Sequence, residues 1–302
     1  MLSDPKFAKC ILCIDRAPDS REHIIPACIG GTLQALILCT VCNSQFGAEF
    51  VCQLRRDPSI RMALSCVRAR IPKIAAQIEE GLDFVAEDAG GTALVVSQKK
   101  GRWKTKAKEI TDNCLVMDTK DAEKYLRNGL KKEGVPEAEI DFWAKKFENC
   151  NNNQKLQLPN GDTFVKREAA VGLPRLTERF VDDRVPAFIA YEFVALCLGE
   201  RILGPDFSAI RDYIRVGTKT EQVQVLQKRT RQCTPDHKVR FRLSDNNLTV
   251  FVQFFRCYVF EVRFCNIPLP SEEIVYIEDL ENRQRLLALS QEDAKQGNWV
   301  VL

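Results

Sequence analysis

Cys10-Ile11-Leu12-Cys13, Ser20-Arg21-Glu22-His23-Ile24-Ile25-Pro26, Gly30-Gly31 and Cys39-Thr40-Val41-Cys42-Asn43 succeed one another near the start of the chain. Each C-x-x-C pair lets one tight turn present two thiolates to the same tetrahedral ion at about 2.3 Å. Two such knuckles complete a shell of four, so Cys10, Cys13, Cys39 and Cys42 are expected to hold a closed, structural zinc. That ion would contribute directly to folding, because so short a segment has little apolar core of its own. The alternatives are coincidence in a chain of thirteen cysteines, or a redox pair, which would need a βαβ context that is missing here.

Working outward, the remaining cysteines are scattered through apolar segments, and their total is odd in a chain far too long to need disulfide stapling. Scattered free thiols fit a reducing, cytoplasmic setting. No run approaches eighteen apolar residues, and the start of the chain, with Asp4, Pro5 and Lys6, has no apolar signal-peptide core. A membrane partner is therefore not expected. With 45% hydrophobic and 28% charged residues in 302, one or two ordinary globular domains are expected. The net charge of +3 is too small to prove nucleic-acid binding, but it is uneven: residues 1–72 carry nine Lys/Arg against six acids, and the rest cancels.

Residues 1–55 read as a small metal-stabilised module and 56–302 as a larger mixed domain, giving an α+β fold class overall. From Ala48 onward apolar residues recur at helical intervals broken by Pro58 and Pro72. Ala93–Val96 and Trp103–Lys108 read as hairpin arms, and Asn160-Gly161 as the turn of a second hairpin. Residues 119–148 read as two helices parted at Gly134-Val135-Pro136. Pro186–Leu198 and Phe207–Val216 read as a core-forming helix pair, and Val239–Phe264 as two or three antiparallel strands. His237, before that stretch and without a metal-spaced partner, is expected at the surface.

The order C-x-x-C, E-H-I-I-P, G-G, L-C-x-x-C-N-x-x-x-G resembles an HNH endonuclease with a ββα-metal finger, and its zinc-containing members such as phage endonuclease VII. The resemblance covers residues 10 to about 50. It implies that Glu22 and Asn43 hold Mg²⁺ or Mn²⁺ while His23 is the general base. Those residue types suit the chemistry. Phosphodiester hydrolysis needs a base for the attacking water and a cation for the phosphate, imidazole titrates near neutrality, and hard oxygens suit Mg²⁺. Neighbours on a regular strand point to opposite faces, so Glu22 and His23 can serve one phosphate only where the strand ends or kinks. Two positions depart from the commonest pattern: Gln34 stands where many members have Asn, and Phe46-Gly47 where many have Lys. The orienting role of the missing Asn is left unassigned.

What the resemblance implies is hydrolysis of DNA, with RNA not separable from it by these residues, in a setting such as phage defence or a mobile element. One finger cuts one strand, so a double-strand break would call for a homodimer or repeated nicking, and a switched nuclease for an activating partner. Arg55, Arg56 and Arg61, close to the finger in sequence, are expected DNA contacts. Lys104 and Lys106, with Lys108, alternate on a strand and could neutralise phosphates, as could Lys238, Arg240 and Arg242. The competing reading from another class is a non-catalytic zinc module that binds nucleic acid or protein.

Overall fold

Ser20–His23 (β1) pairs antiparallel with Gln34–Leu38 (β2), and Thr40–Arg56 (α1) follows at once, giving a ββα finger. The computed structural model describes residues 6–78, 82–87, 93–99, 102–106, 108–111, 114–116, 119–151, 154–159, 161, 163–165, 175–176, 181–230, 232–244, 246–268, 272–288 and 290–301. Strand β2 alternates exposed Gln34 and Leu36 with buried Ala35 and Ile37, the period of a half-covered strand. In α1, Phe46, Phe50 and Leu54 recur every four residues and form one buried face. Between the strands, a 3₁₀ turn at Ala27–Ile29 ends on Gly30, whose φ of 101° belongs to glycine. The next residue must be glycine for another reason. A Cβ on Gly31 would lie 1.8 Å from the carbonyl oxygen of Ile25.

Pro58–Val67 (α2) and Pro72–Ile78 (α3) complete this part, both prolines opening helices rather than merely breaking them. Asp57 caps α2, its Oδ1 accepting from the backbone N–H of Ser59 at 2.8 Å and of Ile60 at 3.2 Å.

The chain divides into two compact units, residues 1–78 with 179–302, and residues 79–178. The second unit contains Leu82–Glu87 (β3), Ala93–Lys99 (β4), Arg102–Lys106 (β5), Lys108–Thr111 (β6), Cys114–Val116 (β7), Thr119–Lys132 (α4), Glu137–Glu148 (α5), Lys155–Gln157 (β8), Thr163–Val165 (β9) and Arg175–Leu176 (β10). Its main sheet runs β10-β3-β4-β5. Both expected hairpins form: β4 meets β5 with Lys99 opposite Arg102, and β8 meets β9 around Gly161 at φ 89°. Lys100, Asn160 and Asp162 of those turns lie outside the described residues. Leu126, Leu130, Ile140, Phe147 and Leu156 share a core of this unit.

The first unit resumes with Arg184–Leu198 (α6), Ser208–Val216 (α7), Val223–Arg229 (β11), Asp236–Ser244 (β12), Asn247–Phe254 (β13), Tyr258–Phe264 (β14), Glu272–Asp279 (β15), Gln284–Ala288 (β16), Gln291–Gln296 (α8) and Val300–Val301 (β17). The seven strands form one antiparallel sheet, β11-β14-β13-β12-β15-β16-β17. The apolar run at 239–264 supplies only its centre. The flanking strands, β11 at one edge and β15 between β12 and β16, are polar enough, as in Glu272-Glu273 and Glu278-Asp279, to escape an apolar pattern.

Helix α6 packs on β11 to β14 with one side and on α1 with another, and Val185 through Leu196 are all buried. The contact with α1 is aromatic: Phe188 lies 5.6 Å from Phe46 and 5.5 Å from Phe50, ring centre to ring centre. Tyr191 donates its hydroxyl to the Ile11 carbonyl at 2.9 Å, and Thr32 donates both its N–H and its hydroxyl to Glu278 Oε1 at 2.5 Å. The finger therefore shares one core with residues 179–302, and the expected boundary at residue 55 falls inside α1. The overall architecture is mixed α+β. Among the described residues, no helix is long and apolar enough to cross a membrane.

Candidate metal centre and active site

Four thiols converge where the first knuckle meets the N-terminus of α1. The Sγ atoms of Cys10, Cys13, Cys39 and Cys42 all lie within 4.8 Å of one another, and Cys13 and Cys39 are 3.8 Å apart. A tetrahedral shell with Zn–S of about 2.3 Å needs sulfurs roughly 3.8 Å apart, so the donor set fits that ion. The knuckle turn is held by Ile14, whose N–H donates to Cys10 O at 3.0 Å from a φ of 52°, a costly conformation for a β-branched residue. Burial pushes the Cys10 and Cys42 thiols up. It acts the same way on Cys39, but hydrogen bonds from the Cys42 backbone and the neighbouring thiols outweigh it and bring that group down to about 7. Cys39 is also the N-cap of α1. It has no capping side chain of its own, and Asp19 stands in, its Oδ1 accepting from the N–H of Thr40 at 2.5 Å and its hydroxyl at 3.0 Å.

The thiol cluster fixes the start of α1, and the next residue, Asn43, turns toward β1. Its Nδ2 donates to Ser20 Oγ at 2.8 Å and to the Arg21 carbonyl at 3.0 Å. With the amide nitrogen committed to the strand, Oδ1 is left toward Gly47, one turn on, where a Cβ would lie 3.6 Å from it. Strand β1 ends at His23 before the bend at Ile24-Ile25, so the strand terminates where Glu22 and His23 would have to serve one centre. A register shift between Ser20 and Arg21, opposite Leu38 and Leu36, adds further irregularity.

Glu22 is partly buried, and the loss of water, only partly offset by a hydrogen bond from the His23 backbone, pushes its carboxyl up to about 7. Burial lowers the His23 imidazole, favouring its neutral form at neutral pH. Gln34 pairs directly opposite His23, and its Nε2 lies 2.7 Å from Nε2 of the ring. The amide can only donate, so that ring nitrogen accepts and the proton sits on Nδ1. The position left unassigned by the sequence thus contacts the candidate base. A register argument, residue 34 opposite residue 23, would have found it.

Three expectations need correction. Arg61, expected at a DNA face, is only 1% exposed; it sits in α2 beneath the chain, with its guanidinium donating to the Arg55 carbonyl at 3.3 Å. An interior guanidinium is not available to a phosphate. Arg55 itself donates to Gln77 O at 3.3 Å, while Arg56 is exposed at the end of α1. Lys104 and Lys106 lie on β5 of the other compact unit, paired with Ser97 and Val95. His237, expected on the surface, is wholly buried: Nε2 contacts Ile29 O at 3.0 Å, and Nδ1 accepts from the Phe255 N–H at 3.3 Å. Burial depresses it to about 4, so it is a neutral pin between the sheet and the finger. The third correction is the boundary at residue 55.

The site is thus a ββα finger with four cysteines positioned to bind a metal ion and an acid-histidine pair at a strand end. Residues 10–59 match the HNH endonuclease family. No curated protein matches the chain, and no solved structure does. The match reaches through β1, β2 and α1 into the first residues of α2, and supports a nuclease-type function in general for this segment, which implies a nucleic-acid substrate.

Proposed function

We propose that the protein is a metal-dependent endonuclease that hydrolyses DNA phosphodiesters, with one structural Zn²⁺ on Cys10, Cys13, Cys39 and Cys42 and one Mg²⁺ or Mn²⁺ on Glu22 and Asn43. The observation that carries this reading is the pair of hydrogen bonds tying Asn43 to β1. They bring the amide of a zinc-anchored helix beside the strand that bears Glu22 and His23. The donor set is suitable, a half-buried carboxylate and an amide oxygen with its nitrogen already engaged, both hard ligands. When bound, the divalent ion would supply positive charge to the scissile phosphate and leaving oxygen.

His23 takes the proton of the attacking water, for which its neutral form is the competent one. Gln34 orients the ring through Nε2, leaving the imidazole to act once that amide gives way to substrate. Arg56 would meet a phosphate further along the duplex. Thirteen helical residues from Asn43 correspond to about 20 Å along α1, several base pairs of DNA. Lys104, Lys106 and the partly buried Arg55 are weaker phosphate contacts in this reading.

Purified protein incubated with plasmid and Mg²⁺ or Mn²⁺ should nick it, and His23→Ala should not; a single-stranded RNA in parallel gives the substrate preference. Equal inertness of both proteins with every metal would replace this reading by a zinc module that binds without cutting.

A further inference from the structure

Helix α6 is apolar from Val185 to Leu196 except at one position. Glu192 is 0% exposed, and neither carboxylate oxygen has a hydrogen-bond partner among the described residues. A buried, unpaired carboxyl is costly, and native proteins keep one only with a compensating group.

Where it points follows from the register of α6 along α1. Arg184 pairs with Glu49 and lies over the Phe50 ring, 5.5 Å from its centre. One turn later Phe188 stacks on Phe46 and Phe50. Position numbers rise on α6 as they fall on α1, so one further turn brings Glu192 level with Cys42 and Asn43, at the N-terminus of α1. Its electrostatic neighbours agree, for they are Glu22 and Cys10, both of them acidic groups. Three negative or potentially negative side chains thus converge at the finger. Cys10 belongs to the zinc shell, which the four thiols already close. That leaves Glu22 and Glu192, two carboxyls that disfavour each other's charge and that a cation between them would stabilise.

We propose that Glu192 is a third protein group of the divalent-ion site, lying behind Glu22 on its buried side and strengthening the hold of Glu22 and Asn43 on the ion. This rests on the nuclease reading above. It gives α6 a role beyond packing: a residue far along the chain, brought in by the aromatic contact with α1, sets the metal affinity of the finger. Glu192 is a positioning residue, and its effect is read in ion binding rather than in proton transfer.

The test is Mn²⁺ titration of the full-length, zinc-loaded protein, counting free ion by electron paramagnetic resonance, for the wild type, Glu192→Gln, Glu192→Met and Glu22→Gln. Zinc content and thermal melting are measured alongside. Glu192→Gln should weaken Mn²⁺ binding by about tenfold or more, the usual scale for a group supporting a metal ligand, with zinc still at one per chain. Glu192→Met removes the unpaired polar group from the buried helix; it should melt no lower than the wild type and show the same loss of Mn²⁺ affinity. Unchanged Mn²⁺ affinity in both variants, with affinity lost in Glu22→Gln, overturns the role of Glu192 and leaves the nuclease reading standing. A loss of zinc with unchanged Mn²⁺ affinity also overturns it, assigning Glu192 to the thiol cluster. A wild type that binds Mn²⁺ no better than Glu22→Gln overturns both proposals together.

Discussion

The finger holds two candidate sites built in opposite ways. The thiol cluster is local: its ligands come in two C-x-x-C pairs, each within one turn, and their sulfurs lie close enough for one ion. The corner at Glu22, His23 and Asn43 is assembled from a strand end, the opposite strand and the first turn of a helix. Spacing along the chain is enough to specify the first. The second depends on packing, and it should be the more sensitive to distant substitutions.

The largest expected effect is on the local site. Removing zinc with a chelator, or substituting Cys42→Ser, should abolish the cooperative melting of the finger and any nuclease activity with it, since the binding energy of such an ion is on the order of 10 kcal/mol. Calorimetry with elemental analysis would show it. Retained melting would mean that the shared core with α6 holds the finger without metal, and that the two sites are less different than they look.

The assembled site can be broken without touching a thiol. His23→Ala should lower the cleavage rate by about 10²- to 10⁴-fold, as expected for loss of a general base, while zinc content stays the same. Gly31→Ala should destabilise the protein by roughly 3 kcal/mol, because the added Cβ must displace the Ile25 carbonyl next to the active strand end. Urea unfolding measures this directly, and a change below about 0.5 kcal/mol would show that the loop relaxes freely.

His237 tests the coupling of finger to sheet. Its folded value of about 4 lies below the ordinary 6.5, so above pH 6.5 its contribution is fully present. As pH falls from 6.5 toward 4, the unfolded chain takes up a proton that the folded one refuses, and up to about 3 kcal/mol of stability is lost. Glu22, raised to about 7, works in the other direction between 4.5 and 7, and acid also weakens zinc binding. Comparing the wild type with His237→Gln cancels those shared terms. The variant should lose less stability between pH 7 and pH 4.5, and identical slopes would remove His237 from the account. The smallest effect belongs to Gln34→Ala, expected to slow cleavage about tenfold while sparing stability, since Gln34 is exposed and acts only on the orientation of His23.

Much of this was legible in the residues. The four-thiol cluster follows from the two C-x-x-C pairs. The ββα finger followed from the motif order around them, and the helix pair α4 and α5 with its break at Gly134-Val135-Pro136 followed from periodicity. Strands β11 and β15 were not, because polar residues such as Gln224, Gln227, Glu272 and Glu278 interrupt the apolar pattern there. The burial of Arg61 and His237 was not either. Both residue types are usually solvated, and only the three-dimensional path of α2 and β12 puts them inside.

By itself, the sequence determined what depends on separations of a few residues: the four-thiol cluster, the helix that begins between its last two cysteines, and the presence of an acid, a histidine and an amide suited to phosphodiester chemistry. Only the tertiary structure decided which groups face them. Gln34 reaches His23 through strand register, His237 pins Ile29 from the sheet, and Phe188 meets Phe46 through the packing of α6 on α1, which carries the buried Glu192 with it. Contacts between residues this far apart are set by how apolar faces dock, and a linear pattern records the faces without recording their partners.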